Sequence, residues 1–197
     1  MWALIENNEI KSIFNNAKSL TINEIKYPPN IFGSWSLEEL ADIGIYEVIQ
    51  DTSNYKNKEY WINTNQSFDW NGSEVTASYG EAIARDLENS TDPETGVVTY
   101  GLKYNHCKII DNQAYSLLQP NDWYVIRKQE ADIDIPEDWS AYRSAIRSTA
   151  ADMEEKINAC STIEELEALY EYTNTGPKEK PVYTRPLGEW PEAPNQE

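Results

Sequence analysis

The sequence predicts an α+β fold, with antiparallel β-hairpins and one short helix first, then a helical bundle and an extended Pro-rich arm. In the first half of the chain, apolar and polar residues alternate, which is the period of a strand with one buried face. From about residue 99, apolar residues recur every three or four positions, which is the period of an amphipathic helix. The segment after residue 175 is rich in proline. These changes predict a β-rich domain over residues 1–98, a helical domain over 99–175 and an arm over 176–197.

The composition predicts a folded, acidic protein. The chain of 197 residues is 40% apolar and contains seven Trp and thirteen Tyr, which is typical of a protein with a hydrophobic core. A net charge of −18 disfavours nucleic acids and anionic membranes as partners, because their phosphate groups attract Lys and Arg. No apolar run approaches the ~20 residues of a membrane span, and residues 1–6 lack the features of a secretory signal. The sequence therefore favours a protein that is made and kept in a cytosol, or built into something assembled there.

Residues 2–14 have the pattern of a β-hairpin. Asn7-Asn8 separates two apolar stretches, and asparagine tolerates the positive φ of a tight turn. The uninterrupted apolar run over residues 3–5 predicts that the first strand is buried on both faces. Residues 15–34 are polar and contain two adjacent prolines, so we expect irregular structure there. Four apolar side chains should hold this segment on the sheet, namely Ile22, Ile25, Ile31 and Phe32.

A short helix, a strand and a second hairpin are predicted next. Ser36 and Glu39 form a capping-box pattern, and Gly44 stands where a helix over 36–44 must stop before a strand over 45–49. The second hairpin covers residues 58–79, with Asn71-Gly72 as a two-residue turn. Residues 80–98 are predicted to be a connection with a turn at Asp92–Gly96. The aromatic residues of the second hairpin indicate cross-strand packing or, alternatively, a sugar-stacking surface, and they are Trp61, Phe68, Trp70 and Tyr79.

The helical half contains a long stripe and a short helix. A helix over residues 100–118 places one stripe at Leu102, His106, Ile109, Ile110, Gln113, Ala114 and Leu117. A short helix over residues 121–130 is predicted to direct Trp123 and Ile126 inward. Ile133 and Ile135, in the loop that follows, are predicted to insert into the core.

A third helical pattern begins with Pro136 as its first residue. Its apolar positions follow a heptad-like rhythm through Trp139, Tyr142, Ile146, Thr149, Met153 and Ile157. This seam packs either on residues 100–118 or against a partner chain or sister subunit. Ser161 and Thr162, with acidic residues three positions on, predict a further helix start. The tail carries Tyr183, Leu187 and Trp190, so we expect an arm that docks on its own domain or on a partner.

Catalytic patterns are missing from the sequence. Cys107, Cys160 and His106 stand at no standard metal-ligand spacing, and we expect reduced thiols, with a disulfide as the alternative. There is no Gly-rich phosphate loop and no Gly-x-Ser-x-Gly elbow, and no acidic pair can be selected as glycosidase carboxylates. We therefore expect a non-enzymatic protein with no catalytic residue, no metal and no cofactor.

Three ordered groups of motifs carry a resemblance to a known family. The first group is Met-Trp-Ala-Leu-Ile at 1–5, Tyr-Pro-Pro-Asn at 27–30 and Leu-x-x-x-Gly-Ile-Tyr-x-Val at 40–48. The second is Leu-Leu-Gln-Pro-Asn-Asp-Trp at 117–123, followed by Trp-Ser-Ala-Tyr-Arg-Ser-Ala-Ile-Arg at 139–147. The third is Trp-Pro-Glu-Ala-Pro at 190–194. In this order they resemble the tail assembly chaperones and tail-fibre assembly proteins encoded in the tail-gene clusters of tailed bacteriophages.

The resemblance implies a bacteriophage tail protein that binds tail-fibre or baseplate proteins and acts in tail assembly or attachment. Its location would be the host cytoplasm during assembly, or the virion tail. The alternatives are a structural subunit retained in the mature tail and a carbohydrate-recognising host-binding module. The residues predicted to bind a partner are Trp139, Tyr142, Arg143, Ile146, Arg147, Tyr183 and Trp190. The outer face of the helix over 136–159 is the predicted contact surface, and homo-oligomer formation is a further option.

Overall fold

The computed structural model describes residues 1–194 and divides the chain into two compact units, Met1–Ile83 and Ala84 onward. Strands dominate the first unit and helices the second, so the predicted α+β class is confirmed. Across residues 1–194, no helix has the length and apolarity needed to cross a membrane.

The first unit contains eight strands and two helices among its described elements. In chain order these are β1 (Trp2–Glu6), β2 (Glu9–Phe14), β3 (Leu20–Ile22), β4 (Ile25–Tyr27), α1 (Ile31–Ser34), α2 (Leu37–Asp42), β5 (Ile45–Asp51), β6 (Trp61–Ile62), β7 (Gln66–Trp70) and β8 (Val75–Tyr79). A two-residue strand, β9 (Ile83–Ala84), lies where the chain passes from one unit to the next.

The main sheet of the first unit is mixed rather than purely antiparallel. Its strand order is β2-β1-β5-β8-β7. Strand β1 pairs antiparallel with β2 and β5, and β7 pairs antiparallel with β8, but β5 and β8 run parallel. The sequence predicted only antiparallel hairpins, and this prediction was wrong for the pairing of β5 with β8. The alternation of side chains has the same period in both kinds of pairing, so it does not reveal strand direction.

The first hairpin agrees with the prediction. Strands β1 and β2 pair across Asn7 and Asn8, whose φ angles are 53° and 65°. Strand β1 is buried on both faces, because Ala3 (0% exposed) belongs to one apolar cluster and Leu4 (6% exposed) to another. Its uninterrupted apolar run is explained by these two clusters, which cover both faces of the strand.

Residues 15–34 are more regular than predicted. Strands β3 and β4 pair across Asn23 and Glu24, both in the left-handed region, and α1 follows. Strands of three residues are too short to show a period of two, and glutamate rarely marks a left-handed turn. Ile25 is 56% exposed and does not pack as predicted. The other three apolar residues pack onto the sheet as predicted, and they are Ile22, Ile31 and Phe32.

The second hairpin is shorter than predicted and has a longer turn. Trp70 pairs with Val75, which leaves residues 71–74 in the loop rather than two residues. Asn71 Oδ1 accepts hydrogen bonds from the backbone N–H groups of Ser73 and Glu74, each at 2.9 Å. The asparagine therefore holds the turn through its side chain, as in an Asx turn.

Helix α2 begins and ends as predicted. Ser36 Oγ accepts a hydrogen bond from the Glu39 N–H at 3.2 Å, and Glu39 Oε2 accepts one from the Ser36 N–H at 2.7 Å. After the helix, Gly44 has a φ of 82°, and its carbonyl accepts the Ile5 N–H at 2.8 Å. A Cβ atom on Gly44 would lie 2.5 Å from the Ile5 carbonyl oxygen. Glycine is thus required both by the backbone angle and by the approach of β1.

The second unit contains two short hairpins and four α-helices among its described elements. In chain order these are β10 (Ser90–Thr91), β11 (Val98–Thr99), α3 (Leu102–Leu118), a 3₁₀ turn (Gln119–Asn121), α4 (Trp123–Ala131), α5 (Glu137–Ala159), α6 (Ile163–Tyr170), β12 (Thr173–Asn174) and β13 (Tyr183–Thr184). Strands β10 and β11 pair on either side of the predicted turn at Asp92–Gly96. The Thr162 side chain and Glu165 form a capping box at the start of α6, as predicted.

The core of the second unit is the packing of α3 against α5. The apolar seam of α5 is largely buried at Tyr142, Ile146, Met153 and Ile157. On α3 the buried positions are Leu102, His106 and Ile110, whereas Ile109 is 45% exposed. The seam was predicted to pack either on residues 100–118 or against another chain. The structure contains the first arrangement, because the seam of α5 packs on α3.

Helix α4 differs most from its prediction. None of its residues is buried, and the two that were predicted to face inward are outside: Trp123 is 50% and Ile126 is 55% exposed. In the loop after α4, Ile133 is 49% exposed, so its predicted insertion was wrong, while Ile135 is half-buried. The prediction failed because a spacing of three residues identifies a helix face without showing whether the protein covers that face.

The C-terminal segment folds back on its own unit, and the predicted extended arm is not confirmed. Strand β13 pairs antiparallel with β12. Leu187 is 1% exposed, and its N–H donates to the Leu169 carbonyl at 2.9 Å. Lys156 Nζ donates to the carbonyls of Pro186 (2.9 Å) and Leu187 (3.1 Å). The last three residues of the predicted arm, 195–197, lie outside the described residues.

The carboxyl group of Glu154, at the contact of α3 with α5, lies where a negative charge is unfavourable. Burial raises the pKa of Glu154 above its ordinary value of 4.5, and the neighbouring Asp111 raises it further. The folded protein therefore binds a proton at Glu154 more tightly than the unfolded chain does. At pH values above the raised pKa, the charge on Glu154 therefore lowers the free energy of unfolding. Below about pH 4.5 the carboxyl group is neutral in both the folded and the unfolded state, and this effect disappears.

We expect Gly44→Ala to destabilise the first unit, because an alanine at a φ of 82° is strained and its Cβ meets the Ile5 carbonyl. The loss should be at least about 2 kcal/mol in urea denaturation followed by circular dichroism. Gly33→Ala is the control, because a Cβ at that helical position meets nothing within 4 Å. It should be neutral or stabilising by up to about 1 kcal/mol. Equal losses in the two variants would contradict this account of Gly44.

We expect Glu154→Gln to raise the urea midpoint at pH 8, because it removes a carboxylate whose charge is disfavoured by burial and by Asp111. The advantage over the natural protein should shrink as the pH falls toward about 4.5, where Glu154 itself becomes neutral. Glu155→Gln, at the exposed neighbouring position, is the matched control. A gain that does not change with pH would count against this explanation.

Candidate protein-interaction surface

The candidate surface begins where α3 ends. Pro120 has no backbone donor, and the chain passes into a 3₁₀ turn. In this turn the Asp122 N–H bonds to the Gln119 carbonyl at 3.2 Å. The Leu118 carbonyl therefore loses the partner four residues on that a continuing α-helix would supply.

Arg143 of α5 replaces that partner. Its guanidinium is buried, and Nη1 donates to the Leu118 carbonyl at 3.1 Å and to Asn121 Oδ1. Nη2 donates to Asp122 Oδ1 at 2.8 Å, which makes an ion pair. Asn121 is itself buried, and its Nδ2 donates to the Leu117 carbonyl at 3.1 Å. We call Arg143, Asn121 and Asp122 the arginine clamp.

The arginine clamp fixes the start of α4 relative to α5. A buried guanidinium is stable only with its hydrogen-bond donors satisfied, and Arg143 has three acceptors where α3 ends and α4 begins. The Asp122 side chain is 48% exposed, so water weakens its attraction to Arg143. The buried bond to Asn121 and the partly buried bond to Leu118 therefore make the larger contribution.

A row of aromatic rings runs from α4 to α5 beside the clamp. Trp123 stacks on Tyr124 with ring centroids 3.9 Å apart, and Tyr124 lies 5.6 Å from Trp139. Trp139 in turn meets Tyr142 edge to face at 5.8 Å. We call these four residues the aromatic row. It passes from the buried Tyr142 to the half-exposed Trp123, so it connects the core to the surface.

The exposed end of the row forms an apolar and cationic face on α4. Trp123, Ile126 and Arg127 are spaced at i, i+3 and i+4, so they lie on one side of the helix. Arg127 lies over the Trp123 ring at 4.8 Å and over the Tyr124 ring at 5.1 Å. We call Trp123, Ile126 and Arg127 the α4 face. Trp, Tyr and Arg are the residues most enriched at the centres of protein interfaces.

Acidic groups hold the other end of α4. Lys128 Nζ lies 3.0 Å from Asp132 Oδ1 and 2.6 Å from Asp134 Oδ1. Hydrogen bonding to Lys128 lowers the pKa of Asp134, and hydrogen bonding to Asp134 raises the pKa of Lys128. These groups are exposed to solvent, so their role is to favour one conformation of the helix end. Helix α4 is thus tied at both ends while its outer face stays uncovered.

The seven residues predicted to bind a partner lie in different environments. Tyr142, Arg143 and Ile146 are buried within the unit, where they hold α5 against its neighbours. Trp139 is half-buried in the aromatic row, next to Tyr142. Arg147 is exposed, and its Nη1 donates to the Arg143 carbonyl at 3.2 Å.

The two predicted tail residues lie apart from this group. Tyr183 is 61% exposed on β13. Trp190 is half-buried, and its Nε1 donates to Gln113 Oε1 of α3 at 3.0 Å. Trp190 also lines an open groove of about 470 Å³ along α3, together with Ile109 and Arg185. The tail therefore docks on its own unit, which was one of the two predicted alternatives.

The aromatic residues of the first unit are mainly packed. Trp61 is 7% exposed, with Lys56 Nζ 3.4 Å from its ring centroid. Trp70 lies 4.6 Å from Tyr46, and its Nε1 donates to Asn8 Oδ1 at 3.0 Å. Phe68 and Trp70 both pack against the buried cluster of the sheet. The structure thus places these rings in packing contacts rather than on a flat, exposed platform.

The thiols and the histidine are engaged in the helical core. The His106 ring is buried, and Nδ1 lies 2.8 Å from the Tyr170 hydroxyl. Both cysteines are free, and burial raises the pKa of the Cys107 and Cys160 thiols. This is the opposite of the shift that activates a nucleophilic cysteine. Among the described residues, no group of three or more His, Cys, Asp or Glu is placed to hold a metal ion.

Asn121 and Asp122 are functional candidates that the sequence did not identify. They were noted as the start of a helix and as part of the second motif group, but were assigned no role, whereas they bind the arginine that was assigned to a partner. Two sequence features together could have identified them. A proline interrupts the first helix, and a later helix carries an Arg next to one of its seam positions. An Arg beside Tyr142 on the packed side of α5 has little access to water, so it needs an acceptor within the fold.

The fold and this surface define a two-unit α+β protein with an uncovered aromatic and cationic helix face. No family model, no curated protein and no solved structure matches the chain.

We expect Arg143→Leu to destabilise the second unit by about 2–4 kcal/mol, because it removes the donor of the buried Asn121 side-chain oxygen and of the half-buried Leu118 carbonyl. Urea denaturation followed at 222 nm by circular dichroism measures the loss. Arg147→Leu removes an exposed arginine one helical turn away, and it should cost less than about 1 kcal/mol. Similar losses in the two variants would show that the clamp is not the source of stability.

Proposed function

We propose that this chain is a non-enzymatic bacteriophage tail protein that binds a tail-fibre or baseplate protein and acts in tail assembly. The α4 face is the observation that carries the proposal, because it exposes Trp123 and Ile126 beside the half-buried Arg127, on a helix without a buried residue of its own. The ordered motifs that resemble phage tail assembly proteins support it. The second group of these motifs contains Asn121, Asp122, Trp123 and Arg143, which form the clamp and the start of the α4 face.

The α4 face suits a partner with an apolar surface. Covering the exposed half of the Trp123 ring removes roughly 100 Å² from water, which is worth about 2.5 kcal/mol. Arg127 is already stacked on that ring, so less side-chain entropy is lost when a partner binds it. The clamp holds the start of α4 in place before binding, which lowers the cost of association further.

The net charge of −18 suits a protein that keeps a partner soluble before assembly. Like-charged complexes repel one another, and this repulsion slows the aggregation of apolar fibre surfaces. Assembly would then require the partner to leave, or the complex to enter the tail as a unit. These two possibilities are the assembly chaperone and the structural subunit.

Co-expression with the fibre and baseplate proteins of the same gene cluster tests the proposal. We expect one of them to co-purify with this chain and to yield more soluble protein in its presence. No co-purification and unchanged yield across the set would overturn the proposal. If a partner is found, mass spectrometry of purified virions distinguishes the two roles, because only a structural subunit is retained at stoichiometric level.

We expect the double variant Trp123→Ala/Ile126→Ser to weaken binding to the captured partner by at least about 100-fold, because the contact of Trp123 is worth about 2.5 kcal/mol and Ile126 adds to it. Its melting temperature should change little, since neither side chain is buried. Val125→Ser is the matched control, because Val125 is 43% exposed on another side of the same helix. Binding that survives in the double variant, or is lost equally in Val125→Ser, would place the interface elsewhere.

A further inference from the structure

The first unit contains an open groove that is separate from the α4 face. It has a volume of about 460 Å³ and lies between α2, the middle of β5 and the turn before β8. Its apolar lining includes Leu37, Ala41 and Ile49, of which Leu37 is 59% and Ile49 is 47% exposed. This volume is within the roughly 300–1,000 Å³ of clefts that bind ligands.

The groove exists because α2 covers only part of one sheet face. Ile45, Glu47 and Ile49 alternate along β5 and point to the same side. Ile45 is 1% exposed in the apolar cluster that contains Leu40 of α2. Glu47 and Ile49 continue that side beyond the helix and remain exposed. The result is an uncovered floor on which the apolar Ile49 lies beside the carboxylate of Glu47.

Three carboxylates line the groove without a basic neighbour in sequence. They belong to Glu38 on α2, Glu47 on β5 and Glu74 in the turn before β8. All lining residues come from segments 27–55 and 59–84, which contain no Lys or Arg. Within residues 1–194, none of these three glutamates takes part in an ion pair. The groove therefore combines apolar surface with uncompensated negative charge.

We propose that this groove binds a segment of a partner protein in which Lys or Arg stands beside an aliphatic side chain. The methylene stem of such a cation would lie on Leu37, Ala41 and Ile49, and its charged end would reach the carboxylates. Charge complementarity selects this occupant, since an acidic or phosphorylated segment would be repelled by all three glutamates. The proposal does not rest on the proposed function, because the groove and the α4 face belong to different units and either can fail alone.

Two-dimensional ¹⁵N NMR of the full chain tests the proposal with three capped peptides, Leu-Lys-Leu-Lys, Leu-Glu-Leu-Glu and Ser-Lys-Ser-Lys. We expect the first to shift the amide signals of Ala41, Glu47 and Ile49 in a saturable way. The second should cause no shift, and the third should bind at least about tenfold more weakly because it lacks apolar contact. Added salt should weaken the binding of the first peptide.

Charge-removal variants locate the binding site. Glu38→Gln/Glu47→Gln/Glu74→Gln should weaken the Leu-Lys-Leu-Lys peptide by at least about tenfold, because three close carboxylates are lost. The control Glu9→Gln/Glu24→Gln/Glu81→Gln removes the same charge at exposed positions outside the groove and should bind like the natural protein. Circular dichroism verifies that both variants are folded. No saturable shift at millimolar peptide, equal binding of Ser-Lys-Ser-Lys, or equal loss in the two triple variants would overturn the proposal.

Discussion

The second unit depends on how one buried guanidinium is satisfied. Pro120 forces α3 to end in a 3₁₀ turn, and the Leu118 carbonyl is left without its usual partner. Arg143 reaches this carbonyl from α5, and the same guanidinium binds Asn121 and Asp122 at the start of α4. A helix end, a turn and a second helix start are therefore fixed by one side chain.

The arginine clamp explains why α4 can exist with an uncovered apolar face. A nine-residue helix is marginal on its own, because nucleation is costly and few backbone hydrogen bonds repay it. Here the clamp orders its first turn, and Lys128 with Asp132 and Asp134 orders its last. Burial of Trp123 and Ile126 is not needed to hold the helix, which leaves these side chains available for a partner.

Local features were predictable from the sequence, and long-range ones were not. The capping box of Ser36 and Glu39 and the left-handed turn at Asn7-Asn8 each depend on a few adjacent residues, so their residue types suffice. The seam of α5 was also visible, because a helical period persists over several turns. The clamp joins residues 22 positions apart, and it depends on where two helices meet. The exposure of Trp123 was missed for the same reason, because burial is a property of the whole packing arrangement.

The parallel pairing of β5 with β8 has a consequence for the order in which the chain assembles during synthesis. Strands β1, β2 and β5 can pair with one another as soon as they leave the ribosome, since all three lie within the first 51 residues. The other edge of β5 stays unpaired until β8, which ends at Tyr79, has been synthesised. During this interval Glu47 and Asp51 place negative charge on the open strand. Charged side chains on an edge strand oppose pairing with other chains, so we expect these two residues to reduce aggregation of the nascent sheet.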